Sequence, residues 1–159
     1  MNLIDFLIGV ILALAGIAGY YWGIVRQVLA LAGLVAGIAV AGRYGSSAAD
    51  ALMSFVDDRA IAEIGGALIL LALVGGTASL TASLLQMYVG LMIAGKADHG
   101  AGALLGIVHA ALLVTALALI VQAHPVEPLQ TALRGSALIS VLTDNVGHVL
   151  MPLLNLNAG

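Results

Sequence analysis

Only a few side chains in this sequence have a type and a setting suited to catalysis or to ligand binding, and the first is His109. An imidazole within an apolar helix is a good axial ligand for the metal of haem or chlorophyll. Its ordinary alternative role is a neutral ring that hydrogen-bonds between helices. The other histidines, His99, His124 and His148, are too dispersed for a metal-binding motif. We therefore expect no cofactor or metal, with haem or chlorophyll at His109 as the alternative.

Asp98 and Arg26 form the second candidate site. Asp98 stands at the start of a predicted helix, where a carboxylate complements free backbone amides and the partial positive charge of the helix end. One interpretation is that Asp98 only caps this helix. The other is an ion pair with Arg26 from a neighbouring turn, a clamp that would hold two helical hairpins together.

Catalysis is not expected from these residues. The chain has no cysteine, and no Gly-x-Ser-x-Gly or other nucleophile signature accompanies its serines. A row of polar residues could line an aqueous path, although Ser and Thr also bond to the backbone of their own helix. The row is Thr77, Ser79, Thr81, Ser83 and Gln86. We predict that the protein is not an enzyme.

The elements that carry these residues are dictated by composition. Of the 159 residues, 62% are hydrophobic and 8% are charged, whereas soluble domains average about 45–50% and about 25%. The net charge is −3, and the five basic residues are too scattered to neutralise a run of phosphates, which excludes nucleic acid. The expected surroundings are a lipid bilayer, with other membrane-protein subunits or further copies of the chain as partners.

Apolar run lengths predict an all-α polytopic membrane protein with four transmembrane helices in two hairpins. A helix of about 20 apolar residues crosses the hydrocarbon layer, and the predicted spans are 3–20, 23–42, 64–95 and 101–123. The turns are expected near Gly23 and at the charged segment 96–100. Together these helices make a transmembrane domain over 1–123.

The remaining residues, 124–159, differ in pattern and predict an amphipathic interfacial tail. Pro125 and Pro128 are expected to stop the last span. Ser136 is a suitable N-cap for a helix whose apolar residues recur at helical spacing. The tail should lie on the membrane surface or against the bundle.

Three pairs of glycines four residues apart lie on predicted helix faces. They are Gly19 and Gly23, Gly33 and Gly37, and Gly102 and Gly106. Small residues let helix backbones approach closely in lipid, where burial alone does not favour association. We expect these pairs to pack helices within one chain, with an oligomer or partner seam as the alternative.

Targeting features favour retention of the first helix in the membrane. Asp5 stands where a secretory signal would carry basic residues. Arg26 and Lys96 lie close to the spans beside short turns, so the positive-inside bias predicts that both turns are cytoplasmic.

The chain resembles the colicin V production protein (CvpA) family of bacterial inner-membrane proteins. Its motifs are Asp5 with Gly19, Gly23 and Arg26, then Asp98 with Gly102 and Gly106, and more loosely Ser136 to Leu138. It departs from the family at Gln27, usually an acid, at His99, usually arginine, and at His109 and Ala110, usually a basic residue and glycine.

The resemblance implies a four-helix protein of the bacterial inner membrane that is involved in envelope homeostasis and in export of a colicin V type toxin. Its expected role is a scaffold or a minor pore. Two alternatives stay open: an accessory transmembrane subunit of a larger respiratory or photosynthetic complex, and a small transporter.

Overall fold

The computed structural model describes residues 3–89, 96–124 and 126–154, and every regular element in these ranges is helical. The five helices are α1 (Leu3–Leu52), α2 (Arg59–Val89), α3 (Lys96–Gln122), α4 (Glu127–Arg134) and α5 (Ala137–Leu150). The predicted all-α class is thus confirmed for the described residues. The first three helices are long and apolar enough to cross a membrane.

A kink at Gly23 divides α1, which would otherwise be a rod about 75 Å long. Gly23 has φ 76° and ψ 174°, a conformation that glycine adopts without the steric cost a Cβ would add. We call residues 3–22 α1a and residues 24–52 α1b. The structure thus has two helical segments joined at a single non-helical residue, which lies at the predicted turn near Gly23.

α1a packs along α3. Gly23 lies against the Asp98 side chain, Gly16 against Ile107, and Ile8 shares a buried cluster with Ala118.

α1b packs against both α2 and α3. Its residues Leu34 and Ile38 belong to the main apolar core, which also holds Leu71 of α2 and Leu119 and Ile120 of α3. Ile38 is completely buried. By contrast, α2 and α3 touch each other only slightly among the described residues, so α1b is the central element between them.

The C-terminal helix α5 lies across one end of the bundle. Near its start, Ile139 packs in the cluster of Ile8 and Ala118. At its end, Leu150 joins the core with Ala41, and the chain beyond it lies against Gly42. The outward side of α5 carries Ser140, Asp144, Asn145 and His148, together with the exposed Val141 and Val149. The helix predicted from residue spacing is therefore amphipathic only in part.

Several helix boundaries differ from the predicted spans. α1b continues to Leu52, ten residues beyond the expected end at 42. α2 begins at Arg59 because the Asp58 carboxylate accepts hydrogen bonds from the Ala60 and Ile61 amides at 2.8 and 3.2 Å, as an N-cap does. Its expected end at 95 lies outside the described residues.

The charged segment at 96–100 is the first turn of α3 and not a break between helices. The tail also contains one more helix than expected. Pro128 lies in the first turn of α4, where its missing amide proton costs nothing because the first amides of a helix have no partner. Pro128 therefore starts a short helix and does not merely stop the previous one.

Substitution of Gly102 by leucine is expected to destabilise the bundle by at least about 2 kcal/mol, because a Cβ there would overlap the Gly19 carbonyl oxygen and force the two helices apart. Gly9→Leu is the matched control, since a Cβ at Gly9 has no heavy atom within 4 Å. Reversible unfolding in detergent, followed by circular dichroism, measures both variants. Equal stability of the two would contradict the close approach.

Candidate functional site

The Asp98 carboxylate joins the start of α3 to the kink in α1. Its Oδ1 accepts a hydrogen bond from the Ile24 amide at 2.9 Å. The kink at Gly23 leaves this first amide of α1b without a partner inside its own helix, and Asp98 supplies one from another helix. Gly23 has no side chain, and a Cβ there would overlap the carboxylate. Asp98 thus caps α1b across the bundle.

Arg26 does not form the ion pair with Asp98 that the clamp hypothesis requires. Its guanidinium carbon lies 3.6 Å from the centroid of the Trp22 ring, a cation–π contact. The ion pairs among the described residues connect Arg59 with Asp50 and Glu63, and His124 with Glu63. The two parts of the chain are instead joined by the Asp98 carboxylate and a backbone amide, because the kink exposes that amide beside Asp98.

His99 makes a second connection at the same end. Its Nδ1 lies 2.7 Å from the Tyr20 carbonyl oxygen, and its ring lies 5.1 Å from the Tyr20 ring, centroid to centroid. With a carbonyl as partner, Nδ1 must be the donor. His99 therefore binds a carbonyl at the end of α1a, while Asp98 binds an amide at the start of α1b.

All six glycines of the predicted pairs lie where another part of the bundle approaches closely. The positions facing them are Gly102 for Gly19, Asp98 for Gly23, Ala78 for Gly33, Leu71 and Gly75 for Gly37, Gly19 and Gly23 for Gly102, and Ala15 for Gly106. The pairs thus face neighbours within the chain. Two further close approaches, at Gly42 and Gly66, have no glycine partner four residues away and were missed.

A cavity of about 570 Å³ lies between α1a, α1b, α2 and α3; we call it the interhelical cavity. It exists because α2 and α3 both pack on α1b and hardly touch each other. Its wall is mostly apolar, and the polar or charged side chains along it, besides the Trp22 indole, are Arg26, Gln27, Ser79 and His109. Ala72 and Gly76 line it and are exposed, so the cavity opens sideways beside α2.

His109 lies in this wall, and its buried Nδ1 has no hydrogen-bond partner among the described residues. In the described ranges, no group of three or more histidine and acidic residues is placed to hold a metal ion.

The polar row of α2 bonds to its own helix. The hydroxyls of Thr77, Thr81 and Ser83 donate to the carbonyls of Leu73, Thr77 and Ser79 at 2.8 to 2.9 Å. Thr77 and Thr81 are on the outside of the bundle. Ser79 alone of the row's described side chains borders the cavity; the Gln86 side chain lies outside the described residues.

A buried polar contact at the opposite end was not anticipated. The Asp5 carboxylate, 2% exposed, accepts hydrogen bonds from the Ser136 hydroxyl at 2.6 Å and from the Leu138 amide at 3.0 Å. The Ser136 oxygen in turn accepts from the Ile139 amide at 3.2 Å, as the predicted N-cap of α5. The sequence contained a signal for this contact, because an acid such as Asp5 inside an apolar run needs a hydrogen-bond or charge partner to be buried.

At the same end, a partly exposed network ties α2 to its neighbours. The Glu63 carboxylate lies 2.7 Å from Arg59 Nε and 2.9 Å from His124 Nε2. His124 Nδ1 lies 2.6 Å from the Ile120 carbonyl oxygen. His124 thus connects the end of α3 with the first turns of α2.

Asp5→Ala is expected to loosen the tail, because it leaves the Ser136 hydroxyl and the Leu138 amide without their shared acceptor at a cost of about 1.5–3 kcal/mol. The measurement is limited trypsin digestion at the exposed Arg134, which precedes α5. Cleavage should be several-fold faster than in the unmodified protein. Asp144→Ala, which removes an exposed carboxylate from α5 itself, is the control and should not change it. Unchanged cleavage of Asp5→Ala would contradict the assigned role.

In a comparison with known protein families, residues 4–147 match the family model described as "Colicin V production protein". No curated protein and no solved structure matches the chain. The matched range contains the two positions that hold the termini of the bundle together, Asp5 and Ser136, and the kink with its partner Asp98. The match covers most of the chain and confirms the resemblance drawn from its glycine and acid motifs: this membrane protein belongs to the colicin V production protein family.

Proposed function

We propose that the chain is a multi-pass protein of the bacterial inner membrane that serves envelope homeostasis and the export of a colicin V type toxin as a scaffold. Membership of the colicin V production protein family is the observation that carries this proposal. No catalytic step is part of it, and the family is not a known enzyme family. The proposed partners are the bilayer lipids and other membrane proteins or further copies of the chain.

The order of contacts along α3 supports four spans in two hairpins. α1a meets α3 in reverse order, with Gly23 near Asp98 and Ile8 near Ala118. α1b meets it in the same order, starting with Ile24 at Asp98 and reaching the level of Ile120. Two segments that follow one helix in opposite directions run antiparallel to each other, so the chain reverses direction at Gly23.

The second pair is supported in the same way. Gly33 and Gly37 of α1b lie against Ala78 and Leu71 of α2, while Gly66 near the start of α2 lies against Ala49 near the end of α1b. α2 is therefore antiparallel to α1b. In the proposed arrangement, α2 and α3 form the second hairpin.

The interior favours a scaffold over a pore. The close glycine contacts fill the seam between α1a and α3. The remaining cavity is mostly apolar, and the hydroxyls of Thr77, Thr81 and Ser83 are used within α2. An aqueous path needs polar groups directed at its lumen, and the described residues supply few.

The four-span arrangement predicts which positions share a side of the membrane. Because the chain has no cysteine of its own, single cysteines can be placed at Tyr21 and Gly100, both exposed and at the kink end, and at Asp57 at the opposite end. An impermeant maleimide added to intact spheroplasts should label Asp57→Cys. Tyr21→Cys and Gly100→Cys should react only after lysis. Labelling of Tyr21→Cys and Gly100→Cys from opposite sides would refute the arrangement.

The proposed process is tested by complementation. In a colicin V producing strain that lacks its own family member, expression of this chain should restore toxin in the medium, and Gly9→Leu should do so equally. Gly102→Leu should not, because it separates α1a from α3. Failure of the unmodified chain, despite normal membrane insertion, would remove toxin export from the proposal.

A large co-purifying pigmented assembly in mild detergent would favour an accessory subunit with a cofactor at His109.

A further inference from the structure

We propose that the interhelical cavity is a binding site for one phospholipid with an anionic headgroup: one acyl chain fills the cavity, and Arg26 holds the phosphate at its mouth. This goes beyond the scaffold role. It rests on the proposed spans only in placing the kink end at a membrane surface.

The dimensions of the cavity fit a hydrocarbon chain. Along α3 its wall extends from Gly106 to Leu117, which is about 16 Å at the rise of an α-helix. That length is about half of the ~30 Å hydrocarbon layer, the depth that the acyl chains of one leaflet occupy. An extended acyl chain can enter through the lateral opening beside Ala72 and Gly76.

The wall has the chemistry of an acyl-chain site. Leu34, Leu68, Leu71, Leu113 and Leu117 line it together with small residues. Gly75 lines it as well, is half-buried, and has no heavy atom within 4 Å of a Cβ built on it. The helices thus leave a slot that their own side chains do not fill, although protein interiors are normally close-packed.

The charge at one end of this slot selects the headgroup. Arg26 lies three residues after the kink, at the end of the bundle where Tyr20 and Tyr21 are exposed as an interfacial aromatic pair. None of the ion pairs among the described residues includes Arg26. The Trp22 ring covers one face of the guanidinium and leaves the N–H groups at its edge to donate to a phosphate, the planar geometry that arginine uses for such groups.

Gln27 supplies an independent indication of a ligand. Its side chain is 5% exposed and lines the cavity, and no described residue hydrogen-bonds to its amide. An amide at a cavity wall without a partner in the protein can hydrogen-bond to whatever occupies the cavity. Gln27 lies next to Arg26 in the chain, at the depth where the ester carbonyls of a phospholipid follow its phosphate, so its N–H₂ can donate to such a carbonyl.

The experiment is native mass spectrometry of the full chain, delipidated in mild detergent and titrated with phosphatidylglycerol or phosphatidylcholine of identical acyl chains. One phosphatidylglycerol per chain should be retained, about tenfold more tightly than phosphatidylcholine. Both lipids offer a phosphate to Arg26, but the trimethylammonium group of phosphatidylcholine would place a second positive charge beside the guanidinium. Arg26→Gln should abolish this preference, and Arg26→Lys should keep part of it.

The cavity itself is tested by Gly75→Leu, which adds a side chain at a lining position where a Cβ has no heavy atom within 4 Å. It should weaken retention of both lipids about tenfold or more, while Gly9→Leu, the same change outside the cavity, should have no effect. Equal retention of both lipids by the unmodified chain, or an equal effect of the two leucines, would overturn the proposal. The proposal would also be overturned if the lipid-free chain formed a dimer and Gly75→Leu dissociated it. Cysteine labelling is independent of lipid retention, so the proposed spans and this site can fail separately.

Discussion

Two helix backbones are in direct contact where Gly19 of α1a faces Gly102 of α3, and the packing of the bundle depends on this contact. Within hydrocarbon, burial of apolar side chains does not distinguish a neighbouring helix from lipid, so helices associate through dispersion contacts between closely fitted surfaces. A Cβ at either glycine would overlap the carbonyl oxygen of the other. The absence of side chains at these two points therefore sets the distance between α1a and α3, and with it the position of everything that bonds across them.

That distance brings the kink at Gly23 within reach of the first turn of α3. A kink leaves backbone groups without a partner in their own helix, and these groups need partners from elsewhere. The Asp98 carboxylate binds the Ile24 amide, and His99 binds the Tyr20 carbonyl on the other side of the kink. A sharp change of direction is thus stabilised by two adjacent side chains from one helix, which explains why an acid stands there without an ion-pair partner.

The opposite end of the bundle is organised by a second acid. Asp5 binds the first turn of α5 and fixes the start of that helix on α1a. The apolar face of α5 then crosses α3 to reach Ala41 of α1b, and the residues after α5 lie against Gly42. Between these two polar ends, α1b separates α2 from α3. The interhelical cavity follows from that separation, because two helices packed on a third need not meet, and a lateral opening to lipid remains beside α2.

The sequence by itself determined the all-α class, the membrane setting, the faces that carry the paired glycines, the N-cap at Ser136 and the family, because each depends on residue type and short spacing along one helix. Tertiary structure decided which groups meet. Asp5 and Ser136, which form a hydrogen bond, are 131 positions apart in the chain. Asp98 accepts a hydrogen bond from the Ile24 amide and does not pair with Arg26. Gln27 and His109, on different helices, line the same cavity. Local spacing defines the face of a helix, but the neighbour of that face depends on how closely all the helices can approach one another.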